Sequence, residues 1–197
     1  MSKTRTFIAV AIDDEARRHA QRAIDSLRSA SDKPASCDVK WVLPENLHWT
    51  LQFLGDVDDT ELFDICRHVA EVATEHEPFA LVAHGVGAFP SADRPRTLWL
   101  GAGEGGLELT QLQADVETSL NSLGFRGERR PFVPHLTLGR VGRGVRGGGQ
   151  LSQQLTELAN FEGSVTSVDE ITVFASDLRR EGPSYSVIAR APLGGLG

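Results

Sequence analysis

The chain contains few cysteines and no long apolar run. Cys37 and Cys66 are its only cysteines among 197 residues, and they lack the C-x-x-C spacing of redox and zinc sites. Free thiols are therefore expected rather than a disulfide scaffold. The apolar run from Phe7 to Ile12 is too short to cross a bilayer, and no cleavage site of a signal peptide follows it. We expect a cytoplasmic protein without a membrane partner.

An excess of positive charge is also missing. The chain has 20 Lys and Arg residues against 27 Asp and Glu residues, a net charge of −7. This balance argues against a protein that coats long stretches of nucleic acid, because such binding needs many basic contacts. Residues 126–146 depart from it with six arginines and one acid, a net +5 that leaves −12 for the rest. One basic patch on an acidic body suits a small anion or a strand end.

Two motifs of well-known hydrolases and nucleotide-binding proteins are absent. No G-x-S-x-G occurs, so the nucleophile elbow of serine hydrolases is lacking. The glycine-rich residues 142–149 lack the closing Gly-Lys-Ser/Thr of a P-loop. This segment is instead a candidate lid or a mobile connection.

A four-residue word, by contrast, occurs twice. His48-Trp49-Thr50-Leu51 and His135-Leu136-Thr137-Leu138 stand 87 residues apart. Successive side chains of a β-strand point to opposite faces, so each word presents a histidine and a threonine together and turns its apolar residues away. Two such strands side by side would line a cleft with two imidazoles and two hydroxyls.

These four side chains suit the cleavage of a phosphodiester without a metal. One group must accept a proton from the nucleophile while another gives a proton to the departing oxygen. Histidine can do either near pH 7, and threonine hydroxyls can donate to the non-bridging phosphate oxygens. The sequence therefore predicts a catalytic set of His48, His135, Thr50 and Thr137. The two motifs are equivalent on paper, so the residues alone do not say which histidine is the acid.

Two other interpretations of the histidines compete with this one. Either histidine alone could be an ordinary half-buried strand residue, but the repetition of the whole word argues against that. A metal site normally adds a carboxylate or a third imidazole at ligand spacing, whereas the same-face partner here is threonine. We therefore expect no metal and no cofactor. The other histidines share no such context, and His19 and His68 fall in predicted helices.

Three further residues are candidates for substrate binding. Arg130 and Arg140 flank the second motif and could contact phosphate, or they could be solvated surface charges. In an unbroken strand Arg140 would lie on the face away from His135, so it reaches the site only if the strand twists or ends near Gly139. Phe132 could stack on a base or pack in the core.

One neighbour of the first motif bears on the strength of phosphate binding. Gln52 is expected next along on the His48 face, where a neutral side chain would leave that side with the weaker hold on phosphate. The phosphate is then expected to lean toward His135.

The secondary-structure pattern predicts an α+β fold. Helical periodicity and capping signals alternate with strand patterns, and each His/Thr strand follows a helix, which suggests an old duplication of an α+β unit. The predicted helices are 13–29, 60–75, 107–123 and 150–159, and the predicted strands are 6–12, 39–42, 47–54, 79–86, 97–101, 135–141, 165–176 and 184–191.

With these motifs the chain resembles the 2H phosphoesterase superfamily. Within it, the chain is most similar to the bacterial and archaeal RNA 2′,3′-cyclic phosphodiesterases, long called 2′-5′ RNA ligases. The resemblance covers nearly the whole chain. Beyond the two motifs it includes FIAV at 7–10, WVLPENLH at 41–48, FLG at 53–55, RPRTLWLG at 94–101, RPFVPH at 130–135 and GPSY at 182–185.

The resemblance implies a bilobal α+β fold in which two pseudo-symmetric lobes, each with an antiparallel sheet and helices, flank a central cleft. Residues 1–197 would form a single domain of two intertwined lobes. It also implies metal-independent hydrolysis of RNA 2′,3′-cyclic phosphate ends to 2′-phosphates. His48 would be the proton donor and His135 the proton acceptor, while Thr50 and Thr137 hold the phosphate.

The implied substrates are RNA ends or small cyclic nucleotides, handled by a monomer that has no obligate protein partner. Two alternatives stay open. One is a reversible 2′-5′ RNA ligase that acts on tRNA half-molecules, and the other is a non-catalytic module that binds RNA ends or nucleotides.

Overall fold

The computed structural model describes residues 2–31, 39–142, 150–179 and 182–194. Cys37 and most of the glycine-rich segment, residues 143–149, lie outside these ranges. The strands are β1 Lys3–Ala11, β2 Val39–Trp41, β3 His48–Asp58, β4 Phe79–Phe89, β5 Thr97–Ala102, β6 His135–Val141, β7 Glu162–Val168, β8 Glu170–Arg179 and β9 Gly182–Pro192. The helices are α1 Asp14–Ser31, α2 Leu62–Thr74, α3 Gly106–Asn121 and α4 Gln150–Glu157, and Pro44–Asn46 forms a short 3₁₀ turn.

The described strands form one antiparallel sheet. Its order is β7-β4-β5-β6-β3-β1-β8-β9, with β2 paired to β6 beyond the end of the β3 contact. The two motif strands, β3 and β6, meet in the middle through one residue pair, Trp49 opposite Leu136. We call the strands β3, β1, β8 and β9 the His48 half and β6, β5, β4 and β7 the His135 half. The predicted α+β class is confirmed, and the two expected sheets are continuous across this one pair.

Two helices reach across to the other half of the sheet. α1 follows β1 of the His48 half but packs on β6 and β7, while α3 follows β5 of the His135 half and packs on β3 as well as on β4. α2 joins α3, and α4 joins α1. The buried apolar side chains form one cluster that runs through both halves. Neither half therefore has a complete hydrophobic core of its own.

Sequence signals account for the helices directly. The Asp13 carboxylate caps α1 by accepting a hydrogen bond of 2.7 Å from the Ala16 N–H. The predicted stripe of α3, which consists of Leu109, Leu112, Val116 and Leu120, is fully buried. Gly124 follows this helix with φ +91°, the left-handed conformation expected of a residue that ends a helix. No helix in the described ranges is both long and apolar enough to span a bilayer.

Two strand predictions need correction. The predicted strand 165–176 is two strands, because β7 pairs with β4 while β8 pairs with β1, and the chain passes between the halves near Asp169. β3 continues to Asp58, well past the predicted Leu54, since its polar end still pairs with Lys3–Thr6 of β1. Backbone hydrogen bonds thus extend strands beyond their apolar pattern.

Each motif strand has a bulge at the fourth residue of its word. In β3, Gln52 pairs with Ile8 and Thr50 with Ala9, so Leu51 is the extra residue. In β6, Gly139 pairs with Leu98 and Thr137 with Trp99, so Leu138 is the extra residue. A bulge adds one residue to one strand and thereby reverses the alternation of faces beyond it.

Candidate active site

The two halves meet at the pair of Trp49 and Leu136, which we call the seam, and this contact brings the four motif side chains together. Trp49 and Leu136 are each 2% exposed and face the core. The histidines and threonines of both strands therefore share the opposite face. With Trp49 opposite Leu136, the antiparallel register sets His48 across from Thr137 and Thr50 across from His135. All four side chains line one cleft of about 1260 Å³.

The two histidines are held by the same hydrogen bond. Nδ1 of His48 lies 2.8 Å from the Asn46 carbonyl oxygen, and Nδ1 of His135 lies 2.8 Å from the Val133 carbonyl oxygen. A carbonyl oxygen only accepts, so Nδ1 carries the hydrogen in both rings. Nε2 is then the nitrogen that exchanges a proton with a substrate. Each motif thus presents Nε2 of a histidine in the same tautomer, with the hydrogen of the neutral ring on Nδ1.

The surroundings of the two rings differ. The His48 ring packs among Phe7 at 4.8 Å, Tyr185 at 5.4 Å and Phe174 at 6.3 Å between centroids. Burial lowers the pKa of His48 to about 4, the hydrogen bond to the Asn46 carbonyl opposes this shift, and charge on His135 adds to it. His48 is therefore neutral at pH 7 unless a negative charge lies beside it. The His135 ring contacts the edge of Phe89 at 5.0 Å.

The structure places the three substrate-binding candidates on the same cleft. Arg130 and Phe132 line it, and so does Arg140. The strand does not end near Gly139 but continues to Val141, and it is a bulge at Leu138 that turns Arg140 to the His135 face and leaves it exposed. The positive charge of Arg140 also reaches Tyr185, where it opposes the rise in tyrosine pKa that burial causes.

The predicted face of Gln52 is wrong, for the same reason, and the weaker hold on phosphate expected on that side stays a prediction. After the bulge at Leu51, Gln52 pairs with Ile8 and lies on the side of the sheet that the helices cover. Its side chain is 5% exposed and donates a hydrogen bond of 3.1 Å to the Phe125 carbonyl. Part of it still borders the cleft. Phe53 takes the His48 face instead, where it pairs with Phe7 and is 54% exposed. The position equivalent to Arg140 is therefore an aromatic residue in the His48 half.

The basic segment contributes unequally to the cleft. Arg126, Arg130 and Arg140 line it, whereas Arg129 does not. The remaining two arginines of the segment, at positions 143 and 146, lie outside the described residues. Lys40 adds a positive charge, and Glu117 and Glu128 add two carboxylates to the lining of the cleft. The cleft keeps a positive excess in an acidic protein, as an anion site requires.

Several residues around the histidines were given no role by the sequence reasoning. Asn46 supplies the carbonyl that holds His48, and its side chain donates a hydrogen bond of 2.8 Å to the Pro183 carbonyl. Tyr185 and Phe89 cover the two rings. Asn46 and Tyr185 stand in segments that carry the family resemblance. Phe89 has no sequence signal, because it comes into contact through the pairing of β4 with β5.

The donor set at the cleft does not suit a metal. Among the described residues, no three side chains of His, Cys, Asp or Glu come together as metal ligands. The nearest partners of the two imidazoles by register are threonine hydroxyls, which are poor primary ligands for the metals that bind histidine. The expectation of a metal-independent site stays a prediction.

Comparisons with known proteins identify the family of the chain. The family model of the 2′-5′ RNA ligase superfamily matches residues 15–180 of this chain. The RNA 2′,3′-cyclic phosphodiesterase of Methanothermobacter thermautotrophicus is 39% identical over 184 residues, which are 93% of this chain and 96% of that protein.

Solved structures share the fold. TT0787 of Thermus thermophilus superposes with a TM-score of 0.77 at 27% identity, over 97% of this chain and 98% of that chain. Escherichia coli LigT complexed with 3′-AMP superposes with a TM-score of 0.72 at 25% identity, over 98% and 99%. These relatives confirm the predicted enzyme class, an RNA 2′,3′-cyclic phosphodiesterase, and the chain belongs to the 2′-5′ RNA ligase superfamily.

Proposed function

We propose that His48 and His135 are the proton-transfer pair that opens 2′,3′-cyclic phosphates at RNA ends to 2′-phosphates. The observation that carries this proposal is the matched geometry of the two rings. Both have Nδ1 fixed by a backbone carbonyl at 2.8 Å, both present Nε2 to one cleft, and both lie across from a threonine of the other half. A fixed tautomer and a fixed orientation are what general acid–base catalysis needs.

In the proposed reaction His135 is the base and His48 is the acid. Nε2 of His135 takes a proton from water as the water oxygen bonds to phosphorus. The bond from phosphorus to the ribose 3′ oxygen breaks, and Nε2–H of His48 gives a proton to that oxygen. The products are a 2′-phosphate and a 3′-hydroxyl. Each proton transfer of this kind typically contributes about 10²–10⁴-fold to the rate.

The low pKa of His48 is compatible with the acid role. A neutral His48 must first gain a proton, and an anionic phosphate beside Nε2 favours the charged ring and raises its pKa. Once charged, an imidazole in an apolar setting of Phe7 and Tyr185 gives its proton up readily. In this scheme the substrate itself brings the acid into its protonated state.

The hydroxyls and arginines serve the phosphate. Thr50 and Thr137 lie on the cleft face beside the histidines and donate to the non-bridging oxygens, where negative charge grows in the transition state. Arg130 and Arg140 line the same cleft and attract the anion. Phe132, which also lines the cleft, stacks on a base of the bound nucleotide.

The substrate is an RNA end or a small cyclic nucleotide. LigT of E. coli, which shares this fold, has been crystallised with 3′-AMP, a nucleotide that carries its phosphate on the ribose. The cleft here, at about 1260 Å³, has room for more than one nucleotide. The protein acts as a monomer in this proposal, without an obligate partner.

The test uses an oligonucleotide that ends in a 2′,3′-cyclic phosphate, with EDTA present. The wild type is expected to give only the 2′-phosphate, identified by ³¹P NMR and by its resistance to a 3′-phosphatase. His48→Ala and His135→Ala are each expected to lose about 100-fold or more in kcat while keeping the wild-type circular dichroism. Full activity in both variants, a requirement for metal, or a 3′-phosphate product would refute the proposal.

The name of the superfamily, 2′-5′ RNA ligase, favours ligation as a second reaction at the same site. If a 5′-hydroxyl of RNA replaces water as the nucleophile, the same two proton transfers join two strands through a 2′-5′ bond. Incubating tRNA half-molecules that bear a cyclic phosphate, and comparing joined with hydrolysed ends, measures which nucleophile the cleft prefers. No joined product at millimolar 5′-hydroxyl ends would exclude ligation.

A further inference from the structure

Asn46 connects two parts of the cleft that are far apart in sequence. Its backbone carbonyl accepts the hydrogen bond from Nδ1 of His48, and its side-chain Nδ2 donates to the Pro183 carbonyl, each at 2.8 Å. Because Pro183 offers only an acceptor there, the amide nitrogen must face it. Asn46 is 7% exposed. A buried amide is thus used on both its backbone and its side chain.

Pro183 leads directly to the ring that covers His48. It stands two residues before Tyr185 on β9, so both belong to the same face of the strand. Tyr185 meets the His48 ring at 5.4 Å and 81°, and the Phe7 ring at 4.9 Å and 70°. Both Pro183 and Tyr185 line the cleft. The position of the hairpin therefore decides whether this ring stays on His48.

In the described part of the β8–β9 hairpin, the end near Pro183 is exposed. Pro183 pairs with Leu178, which is 73% exposed. β9 is also the last strand of the sheet, so it has no neighbour beyond it among the described strands. The hydrogen bond from Asn46 is therefore a tether from the 3₁₀ turn just before the catalytic strand to this exposed end of the hairpin.

The His135 half has no counterpart of this tether among the described residues. Val133 gives His135 the same carbonyl contact, but its side chain is apolar and 46% exposed. The ring that covers His135 is Phe89, which belongs to β4 and lies in the pairing of β4 with β5. Both rings stand on paired strands, Phe89 opposite Thr97 and Tyr185 opposite Ser176, but only the strand of Tyr185 is also bound by a side chain next to its catalytic histidine.

We propose that Asn46 is a positioning residue that holds Tyr185 against His48 through Pro183 while its carbonyl aims Nε2 of His48 at the cleft. The proposal rests on the proposed role of His48 as the proton donor. With Tyr185 in place, water is kept from one side of the ring until phosphate arrives. The charged groups that face this assembly are His135 and Arg140 from β6 and Arg5 from β1, which acts on Tyr185.

The experiment compares Asn46→Ala, Tyr185→Ala and the double variant on adenosine 2′,3′-cyclic phosphate, with Asn121→Ala as the matched control. Asn121 is exposed at the end of α3, away from the cleft. Each single variant is expected to lose on the order of 10- to 100-fold in kcat, as for a displaced catalytic group, with KM changed less than about threefold. The kcat of the double variant should be no lower than that of the less active single variant, because both substitutions break the same connection. The kcat of the control should match that of the wild type.

An NMR titration of the two histidine rings separates positioning from a general loss of structure. In Asn46→Ala and Tyr185→Ala, the titration midpoint of His48 is expected to move up toward the ordinary value of about 6.5, while the ring resonances of His135 at one fixed pH keep their wild-type positions. Wild-type kcat together with an unmoved His48 midpoint in Asn46→Ala would overturn the proposal.

Two further results keep the outcome decisive. If Asn46→Ala does not fold, Asn46→Asp, which keeps the shape but replaces the donor with an acceptor, and Tyr185→Ala decide the question by the same readouts. An inactive wild type would refute the proposed function, whereas an active wild type with unchanged Asn46 variants would refute only the tether.

Discussion

The His48 half and the His135 half carry the same four-residue word and hold their imidazoles with the same hydrogen bond, yet they surround them differently. His48 lies among Phe7, Phe174 and Tyr185, and its pKa falls to about 4. His135 meets one aromatic edge, that of Phe89. A duplicated motif therefore supplies identical atoms, and the rest of each half decides when those atoms carry a proton.

The halves differ again just past their bulges. The His135 half places Arg140 on the cleft face, and the His48 half places Phe53 at the equivalent position. One half offers a cation and the other an aromatic surface at the same distance from its histidine in sequence. We therefore expect the phosphate nearer His135 and a less polar part of the substrate nearer Phe53.

The strongest test of the difference uses a leaving group that needs no proton. On a 4-nitrophenyl phosphodiester, His48→Ala should retain activity within about tenfold of the wild type, although it loses about 10²–10⁴-fold on the cyclic substrate. His135→Ala should lose activity on both, because water still needs a base. Initial rates on the two substrates measure this. The opposite pattern would exchange the roles of acid and base.

The threonines test where the phosphate lies. Thr137→Val keeps the shape of the side chain but removes the hydroxyl, and it should lower kcat by about 10²–10³-fold, as for a lost donor to a developing charge. Thr50→Val should cost less if the phosphate lies nearer the His135 half. Thr118→Val is the control, because Thr118 is an exposed residue of α3 that does not line the cleft. Equal losses from Thr50 and Thr137 would indicate a phosphate centred on the seam.

Stability at low pH should reveal the buried state of His48. Its pKa is about 4 in the folded protein, below the value of about 6.5 in the unfolded chain, so the unfolded state binds more protons between these values. The free energy of unfolding should therefore fall as the pH drops from about 6.5 to about 4, by roughly 3 kcal/mol from this group.

Urea unfolding of the wild type and of His48→Gln across this pH range isolates that contribution. The variant should lack this part of the pH dependence, while His135→Gln should keep it. Parallel curves for the wild type and His48→Gln would show that His48 titrates normally in the folded protein.

The smallest effect is expected from the arginines. Arg130→Gln should raise KM by roughly five- to tenfold, because an exposed cation contributes about 1 kcal/mol to binding an anion. Arg129→Gln is the matched control, since Arg129 is its neighbour but does not line the cleft. The difference between them should shrink at high salt. Equal KM values in both variants would remove Arg130 from the site.

Much of this arrangement is predictable from the sequence, because periodic burial leaves a pattern in it. The shared face of histidine and threonine follows from strand alternation, and the stripe from Leu109 to Leu120 follows from the helical repeat. Both predictions depend only on neighbours along the chain, which is why they could be made without a structure.

The bulges could not be predicted, because Leu51 and Leu138 are buried leucines and a regular strand would also place a buried leucine at these positions. Nothing in Leu51 or Leu138 distinguishes an extra residue from a regular one, so Gln52 was assigned to the wrong face and Arg140 could be placed only conditionally. The tether from Asn46 to Pro183 was missed for another reason. Its partners are 137 residues apart, and one of them is a backbone carbonyl, which no residue type encodes.

The seam of one residue pair has a consequence for how such a protein diversifies. Because β3 and β6 share only the pair of Trp49 and Leu136, the remaining backbone hydrogen bonds of each motif strand lie within its own half or with β2. Substitutions that reshape the walls of one half leave the ladder of the other untouched. Within such a family, the substrate contacts of one half can therefore change while the histidine of the other half keeps its position.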